Sequence, residues 1–456
     1  MTYKIDVALV NPPSAGWDRK GAVRPSRGLI VLAGELMKED CIGRIAIFDG
    51  AFYKLDDMVN EIRAFNPTVM GVSGYTDSMP EAVSILNDLD VPVKISGGPY
   101  ATARPSEVIQ YCDAVFLGEA EISIRNFLRS LYEHGTVDTM PNIPGVAFKG
   151  RENPEGYQRI SDLDSISFRG WELMADNLSK MRSSPYRNIS DNIVSMMTSR
   201  GCRNKCTFCA STINGSYRYR SVESVEAELE LIEYLRQKQG IVPLQSVRLD
   251  DDDLFLRDEN ELAKLFEMFA KKGLTTSGSG AFHNAVPGKI ELLAEYGVKS
   301  LFLGVETHEG RRGNVSIGPK GQITDEQITE TLETLRKNNI KSIAGYIIGF
   351  PDETREDIGL TIDTMVNLPA DYPSLRILQV HPGTKIWEWV ESNMHLYPEL
   401  QERPFTHVDR ERWPTEPSGL PQFHPTMKKE ELIELRNQAN ARAFSRRNIV
   451  AVTVEH

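Results

Sequence analysis

The sequence is short of long apolar runs, of cysteine and of positive charge, and neither a membrane segment nor a disulfide framework is expected from it. No apolar run in its 456 residues approaches the roughly 18 needed to cross a bilayer. The opening stretch, Met1-Thr2-Tyr3-Lys4-Ile5-Asp6, has no apolar run with a small-residue cleavage site behind it, so no signal peptide is expected. The cytoplasm is the expected location. Five cysteines are too few for a secreted scaffold. Positive charge is scarce as well. Lys and Arg number 52 against 64 Asp and Glu, a net charge of −12, so the global field gives a polyanionic partner no help. Nucleic acid is therefore not an expected partner. One strip, Tyr217-Arg218-Tyr219-Arg220, interleaves aromatics with cations as a base-stacking surface would, but a solvated loop or helix lead-in is the plainer expectation. Hydrophobic content of 40% and charged content of 25% are ordinary for a globular chain, and the length suggests about three domains.

What is present begins with a regular alternation. Short apolar runs at Ile5–Val10, Arg44–Phe48, Thr68–Ser73, Val93–Ser96 and Ala114–Leu117 read as buried parallel strands. Amphipathic stretches at Gly28–Lys38, Leu55–Ala64, Pro80–Leu89, Pro105–Gln110 and Glu121–Tyr132 read as the helices between them. Five β–α repeats imply a doubly wound open sheet, which binds ligands at the carboxyl ends of its strands. Those ends carry Asn11-Pro12-Pro13, Asp49-Gly50, Ser73-Gly74-Tyr75, Gly97-Gly98-Pro99 and Gly118-Glu119. Prolines and glycines break the pattern over residues 139–191, where a hairpin from Val146–Phe148 to Gln158–Ile160 is expected.

A second series starts at Ile193–Thr198 and continues with strands at Ser246–Asp250, Thr275–Ser279, Ser300–Gly304, Ser342–Ile347 and Ser374–Val380. Helices are expected at Val222–Gln237, Glu259–Lys271, Pro287–Glu295, Asp325–Asn338 and Glu356–Asn367. Six units are too few for a closed eightfold barrel, so a partial (β/α)6 barrel with its chemistry at the strand C-termini is expected. The expected division is 1–138, 139–191 as linker, 192–385 and a small helical region at 386–456.

Three of the five cysteines, Cys202, Cys206 and Cys209, fall within eight residues directly after the first strand of the second series. Cys41 and Cys112 read as buried structural thiols. Three thiolates at C-x3-C-x2-C wrap one corner of an iron–sulfur cube and leave one iron open. A structural zinc site wants a fourth Cys or His close by, and none is adjacent; the distant His283 or His308 could in principle supply it. An electron-transfer or scaffold protein holding the same cluster stays open on spacing alone.

With Phe208 before its third cysteine, the motif resembles the signature of the radical S-adenosylmethionine (SAM) superfamily. The resemblance implies a [4Fe–4S] cluster on Cys202, Cys206 and Cys209 whose open iron is chelated by SAM. It implies reductive cleavage to a 5′-deoxyadenosyl radical, fed by an electron donor such as flavodoxin or ferredoxin. Phe208 is then expected near adenine, Glu306 near the ribose and Ile347 beside adenine. In Gly345-Tyr346-Ile347-Ile348-Gly349-Phe350-Pro351, the acid beyond the second glycine is taken as Asp352, with Glu353 next to it. The run Asp250–Asp253 offers Asp252 for the SAM ammonium and Asp253 for substrate, and His283 is a second substrate candidate. Capped, solvated acids are the plainer alternative for the run.

The first series resembles the cobalamin-binding Rossmann-like domain that precedes the barrel in one branch of this superfamily. That implies corrin contacts from Pro13, Ser73, Tyr75, Gly97, Gly98, Gly118 and Glu119. No Asp-x-His-x-x-Gly string is present to ligate cobalt from below. The expected function is hydrogen abstraction from a small-molecule substrate followed by methyl transfer from methylcobalamin to carbon. The alternative is a non-methylating step, such as dehydration, redox, cyclisation or rearrangement of a biosynthetic intermediate like an amino sugar, with a first domain lacking cobalamin. A tRNA methylthiotransferase is disfavoured, because the first domain offers only Cys41 and Cys112 for a second cluster.

Overall fold

The computed structural model describes residues 4–13, 23–151, 159–183, 189–211, 215–312, 323–397 and 424–447. Gln158 of the expected hairpin and the tail prolines 398, 404, 414, 417 and 421 lie outside the described residues.

Strands β1 (Ile5–Asn11), β2 (Ile42–Asp49), β3 (Val69–Ser73), β4 (Val93–Gly97), β5 (Ala114–Phe116) and β6 (Val146–Phe148) form the first sheet. Its order is β2-β1-β3-β4-β5-β6, parallel up to β5. The strands are apolar on both faces because helices cover both: α1 (Arg27–Leu36) and α6 (Glu121–His134) on one side, α2 (Leu55–Phe65) and α3 (Met79–Asp88) on the other. Two short helices, α4 (Pro99–Ala103) and α5 (Pro105–Val108), replace the single one expected after β4. The order reverses between β1 and β3, which makes that edge the switch point. Among the described residues the expected hairpin is not seen: Ile160 lies in no strand. β6 pairs antiparallel with β5 instead, so the first sheet extends past residue 138. An edge strand on an existing sheet satisfies its backbone more fully than an isolated hairpin does. Cys41 and Cys112 are buried thiols.

The second sheet has six parallel strands: β7 (Ile193–Met196), β10 (Ser246–Leu249), β11 (Thr275–Ala281), β12 (Val298–Glu306), β13 (Lys341–Ile348) and β14 (Tyr372–Ile377). Between β7 and β10 lie the two-residue strands β8 (Ser199–Arg200) and β9 (Arg218–Tyr219). The order β14-β13-β12-β11-β10-β7 runs straight through the sequence, as a partial barrel requires. Helices α7 (Val222–Lys238), α8 (Glu259–Lys271), α9 (Pro287–Glu295), α10 (Asp325–Lys337) and α11 (Arg355–Asn367) cover its outer face. Side-chain caps start four of the five: Ser221, Asp258, Thr324 and Thr354 each accept a backbone N–H of the first turn. Helix α12 (Lys385–Ser392) follows β14, and α13 (Lys429–Arg446) packs on β14 and α11.

A 3-10 segment, Arg169–Lys180, is wedged between the two units. Its Trp171, Met174 and Leu178 join the α1–α6 side of the first sheet and the helix layer of the barrel into one apolar cluster. Trp171 Nε1 donates to Glu228 Oε1 on α7 at 2.8 Å. Glu228 Oε2 accepts from Arg220, and both members of that pair are buried. Gly170 sits against α1 so closely that a Cβ there would lie 1.9 Å from the carbonyl oxygen of Ile30. Gly170→Ala is therefore expected to cost about 1–3 kcal/mol of stability through overpacking, read as a lowered denaturation midpoint with unchanged slope.

Candidate functional site

The C-terminal edges of the two sheets meet. Arg24 and Arg27, on the segment leading into α1, pair with Asp250 at the end of β10, Arg24 at 3.1 Å. Glu119 and Glu121, after β5, pair with Arg200 and Arg218 of the β8–β9 ribbon. Thr76, after β3, lies 3.3 Å from Nδ1 of His381, after β14. Arg104, after α4, stacks on Trp387 and pairs with Glu391 of α12. Four contacts between rim loops set the carboxyl ends of one parallel sheet against those of the other.

The cysteine loop lies at this junction. It leaves β7, passes Cys202, Cys206 and Cys209, and returns through β9, which pairs antiparallel with β8 and closes the loop at its base. Gly201 takes a φ of 82°, the left-handed region, and a Cβ there would lie 2.6 Å from the carbonyl oxygen of Ser216. The strip Tyr217–Arg220 is this clasp rather than a solvated loop. Arg218 is held by Glu119, Arg220 is fully buried on Glu228, and Arg257 stacks on Tyr219 while donating to the carbonyls of Thr198 and Arg220.

Four consecutive acids shape the loop, each in a different way. Successive side chains of extended chain point to opposite sides, which lets neighbouring carboxylates find separate partners. Burial alone would raise the Asp250 carboxyl, but the Arg27, Arg248 and Arg24 guanidiniums hold it well below the usual carboxylate range. Asp251 accepts from the backbone N–H of Thr198 at 2.7 Å and of Ser199 at 3.0 Å, fixing the start of the loop. Asp252 accepts from Ser211 at 2.7 Å, just beyond the third cysteine. Asp253 is buried. It caps the turn at Phe255, accepts from Asn284 at 2.8 Å and reaches Asn204, inside the cysteine loop, at 3.4 Å. His283 Nε2 lies 3.1 Å from Asn204 Oδ1. Asp253 and His283, expected at substrate, thus meet on Asn204 and brace the loop.

The three thiols are free of disulfides, with Cys206 buried and the others half-buried. Burial pushes the Cys202 thiol up to about 11, reinforced by Asp253 and Asp252, so ligation there must displace a proton. Among the described residues no three His, Cys, Asp or Glu side chains gather around one point as a single metal ion demands. Thiolates on a cube each bind a separate iron and need no such convergence, so the donor set fits a cluster.

Beside the loop, Phe208 and Ile347 border one apolar cluster with Phe350, Leu378, Val380 and Trp387. Phe208 meets Phe350 edge to face at 5.7 Å between centroids. Glu306 ends β12 with a left-handed φ of 71°, which costs a non-glycine residue about 1 kcal/mol or more. Among the described non-glycine residues only Asn66 and Asn339 share that conformation. The turn after β13 is closed by Glu353 rather than Asp352. Its Oε2 accepts from the N–H groups of Gly349 and Phe350, while Asp352 pairs with Arg311 nearer the surface.

On the first sheet, Pro13, Ser73, Gly97, Gly98 and Gly118 line the ends of β1, β3, β4 and β5, and Tyr75 is 44% exposed there. Small residues around an exposed aromatic suit a flat ligand laid on the rim. Glu119 departs from the expectation of a corrin contact. Its oxygens accept from Arg218 and from the backbone N–H of Ile160 at 2.7 Å, so the carboxylate ties the two units together. The sequence analysis gives no role to Asn204, Asn284 or the arginines on Asp250, and reaches Asp251 only as a member of the acidic run. Only Asn204, lying between two cysteines, carried a signal.

Residues 196–365 match the Radical SAM superfamily model. The chain is 27% identical to an uncharacterized methyltransferase of Pyrococcus horikoshii, over 88% of this chain and 86% of the relative. It is 26% identical to the cytidylyl-2-hydroxyethylphosphonate methyltransferase of Streptomyces wedmorensis, over 65% of this chain but only 60% of that protein's length. The fold is similar to that of the radical SAM methyltransferase TsrM of Kitasatospora setae, a structure with cobalamin and a [4Fe–4S] cluster bound. The TM-score is 0.69 at 16% identity, covering 96% of this chain and 91% of that one. The chain carries a radical SAM domain. Its two-sheet architecture is similar to that of TsrM. No described helix is long and apolar enough to cross a membrane.

Two outcomes follow from this geometry. Asn204→Ala and Asp253→Ala are expected to lower iron and sulfide retention after reconstitution, with Asp253→Ala also costing about 1–3 kcal/mol for each buried donor left unmet. Glu353 is buried with Oε1 unpartnered, and burial raises its pKa from 4.5 to about 7. Between those values the folded chain binds more protons than the unfolded one, so this group's contribution to stability falls as pH rises. Glu353→Gln is expected to remove that loss, so the variant's thermal midpoint gains on wild type as pH rises through the window.

Proposed function

We propose that this protein is a cobalamin-dependent radical SAM methyltransferase acting at carbon on a small molecule. The observation that carries the reading is the placement of Cys202, Cys206 and Cys209. They sit on a clasped loop at the C-terminal edge of the six-stranded sheet, directly against the switch-point edge of a doubly wound sheet. When bound, the cluster supplies the electron that splits SAM to methionine and a 5′-deoxyadenosyl radical, and methylcobalamin supplies the methyl group. The chain's own residues bind and orient. Phe208 and Ile347 would wall the adenine, Glu306 would take the ribose and Asp252 the ammonium. Asn204, Asp251 and Asp253 hold the cysteine loop in place, so that Cys202, Cys206 and Cys209 would present a cluster beside these groups. Pro13, Ser73, Tyr75, Gly97, Gly98 and Gly118 would cradle the corrin over the barrel mouth. The apolar cluster behind Phe208 keeps water from the radical. A flavodoxin or ferredoxin in the cytoplasm is the proposed electron source.

One observation favours a second reading, in which the first sheet is structural and the step is non-methylating. Glu119, an expected corrin contact, is committed to Arg218, and no histidine-bearing cobalt motif is present. The test separates the two. Reconstituted, dithionite-reduced enzyme is expected to release 5′-deoxyadenosine from SAM and to retain a corrin spectrum after desalting. Any single cysteine-to-Ala variant is expected to release none. Cleavage without corrin retention selects the second reading, and no cleavage by wild type overturns both.

A further inference from the structure

Three adjacent strands of the barrel end in Glu306 on β12, Ile347 on β13 and Arg376 on β14, with Arg376 in register beside Ile347. The flanking Leu375 and Ile377 belong to the apolar cluster under the helix layer. Arg376 therefore points the other way, onto the inner face that Ile347 shares with Phe208.

Two properties set it apart from an ordinary surface arginine. Its side chain reaches solvent, yet protein surrounds it closely enough that desolvation pulls its pKa below the usual arginine value. It also has no hydrogen-bond or ion-pair partner among the described residues. Its neighbours on the rim are spoken for: Arg24, Arg27 and Arg248 meet at Asp250, and Arg200 and Arg218 meet at Glu119 and Glu121. In a chain with net charge −12, an inward-facing guanidinium left without a carboxylate gains no stabilisation from the fold. An arginine on an edge strand can serve to repel a second sheet. That role needs a side chain beside the open backbone edge, and here α13 packs on β14 and supplies Asn440 Oδ1 to the N–H of Leu375.

We infer that Arg376 is a binding residue for an oxyanion, a carboxylate or phosphate, of a molecule held in the barrel lumen next to Ile347. The planar fork of guanidinium donors suits either group. The inference rests on the proposed function only in locating the reaction within this lumen. Two molecules bring such a group there: SAM, through its carboxylate, and the substrate.

The test uses the full chain with its cluster reconstituted and inorganic phosphate as probe, in wild type, Arg376→Gln and Arg376→Lys. Equilibrium dialysis measures phosphate binding, and a separate dialysis measures SAM. Arg376→Gln is expected to weaken phosphate binding about tenfold or more, the size of one lost charge-assisted hydrogen bond, with Arg376→Lys between it and wild type. Unchanged SAM affinity in Arg376→Gln assigns the anion to the substrate. A parallel loss of SAM affinity, with phosphate competing against SAM, assigns it to the SAM carboxylate. Equal phosphate binding in all three proteins overturns the inference, as does wild type binding none. Because Arg376 holds no partner in the fold, thermal midpoints are expected to match, which guards against misfolding. Failure of wild type to cleave SAM would count against the proposed function and leave this binding result standing.

Discussion

Four carboxylates in a row, Asp250–Asp253, cannot be buried together with their charges uncompensated, and the rest of the structure is arranged around that constraint. Each finds its partners from a different direction. Arginines from the first sheet's rim loop come to Asp250, backbone N–H groups at the head of the cysteine loop come to Asp251, and Asn204 and Asn284 come to Asp253. Asp252, near the surface, accepts from Ser211. One turn at the end of β10 thereby fixes the two sheets relative to each other and the cysteine loop relative to both. Buried charge is weak evidence for stability but a strong device for specifying one geometry, and here the geometry specified is that of the cluster loop.

The second tie works the same way from the opposite side. Glu119 and Glu121 leave the first sheet after β5 and capture Arg200 and Arg218, the two strands of the ribbon that closes the loop. The linker wedge at Trp171 completes the frame by joining the apolar cores. The cysteine loop is thus held at its head by Asp251, at its waist by Asn204 and at its base by the ribbon. A radical initiator needs such rigidity, because reacting groups held slightly out of register lose most of the advantage of proximity.

The architecture was largely legible in the sequence. The strands and most helices lie within a few residues of where apolar runs and capping residues put them, because both signals are local. The misses came where the partner was distant. Val146–Phe148 was read as half of a hairpin, yet the open edge of β5 was available to it. The acid at the turn after β13 was taken as Asp352, but only the folded turn shows that Glu353 reaches the N–H groups of Gly349 and Phe350.

The sequence by itself determined the two β–α series, their order, and the cysteine triad with Phe208 on the loop after the first barrel strand. These depend on periodicity and on spacings of a few residues. The tertiary structure alone decided what each rim side chain does. Asp250 finds Arg24 across 226 positions, Glu119 finds Arg218 across 99, and His283 finds Asn204 across 79. No local pattern encodes such pairings, since an acid or a histidine at a strand end is equally suited to ligand, brace or interface until the facing element is in place. The same holds for Arg376, whose lack of a partner is a property of the folded lumen and not of the residues beside it in the chain.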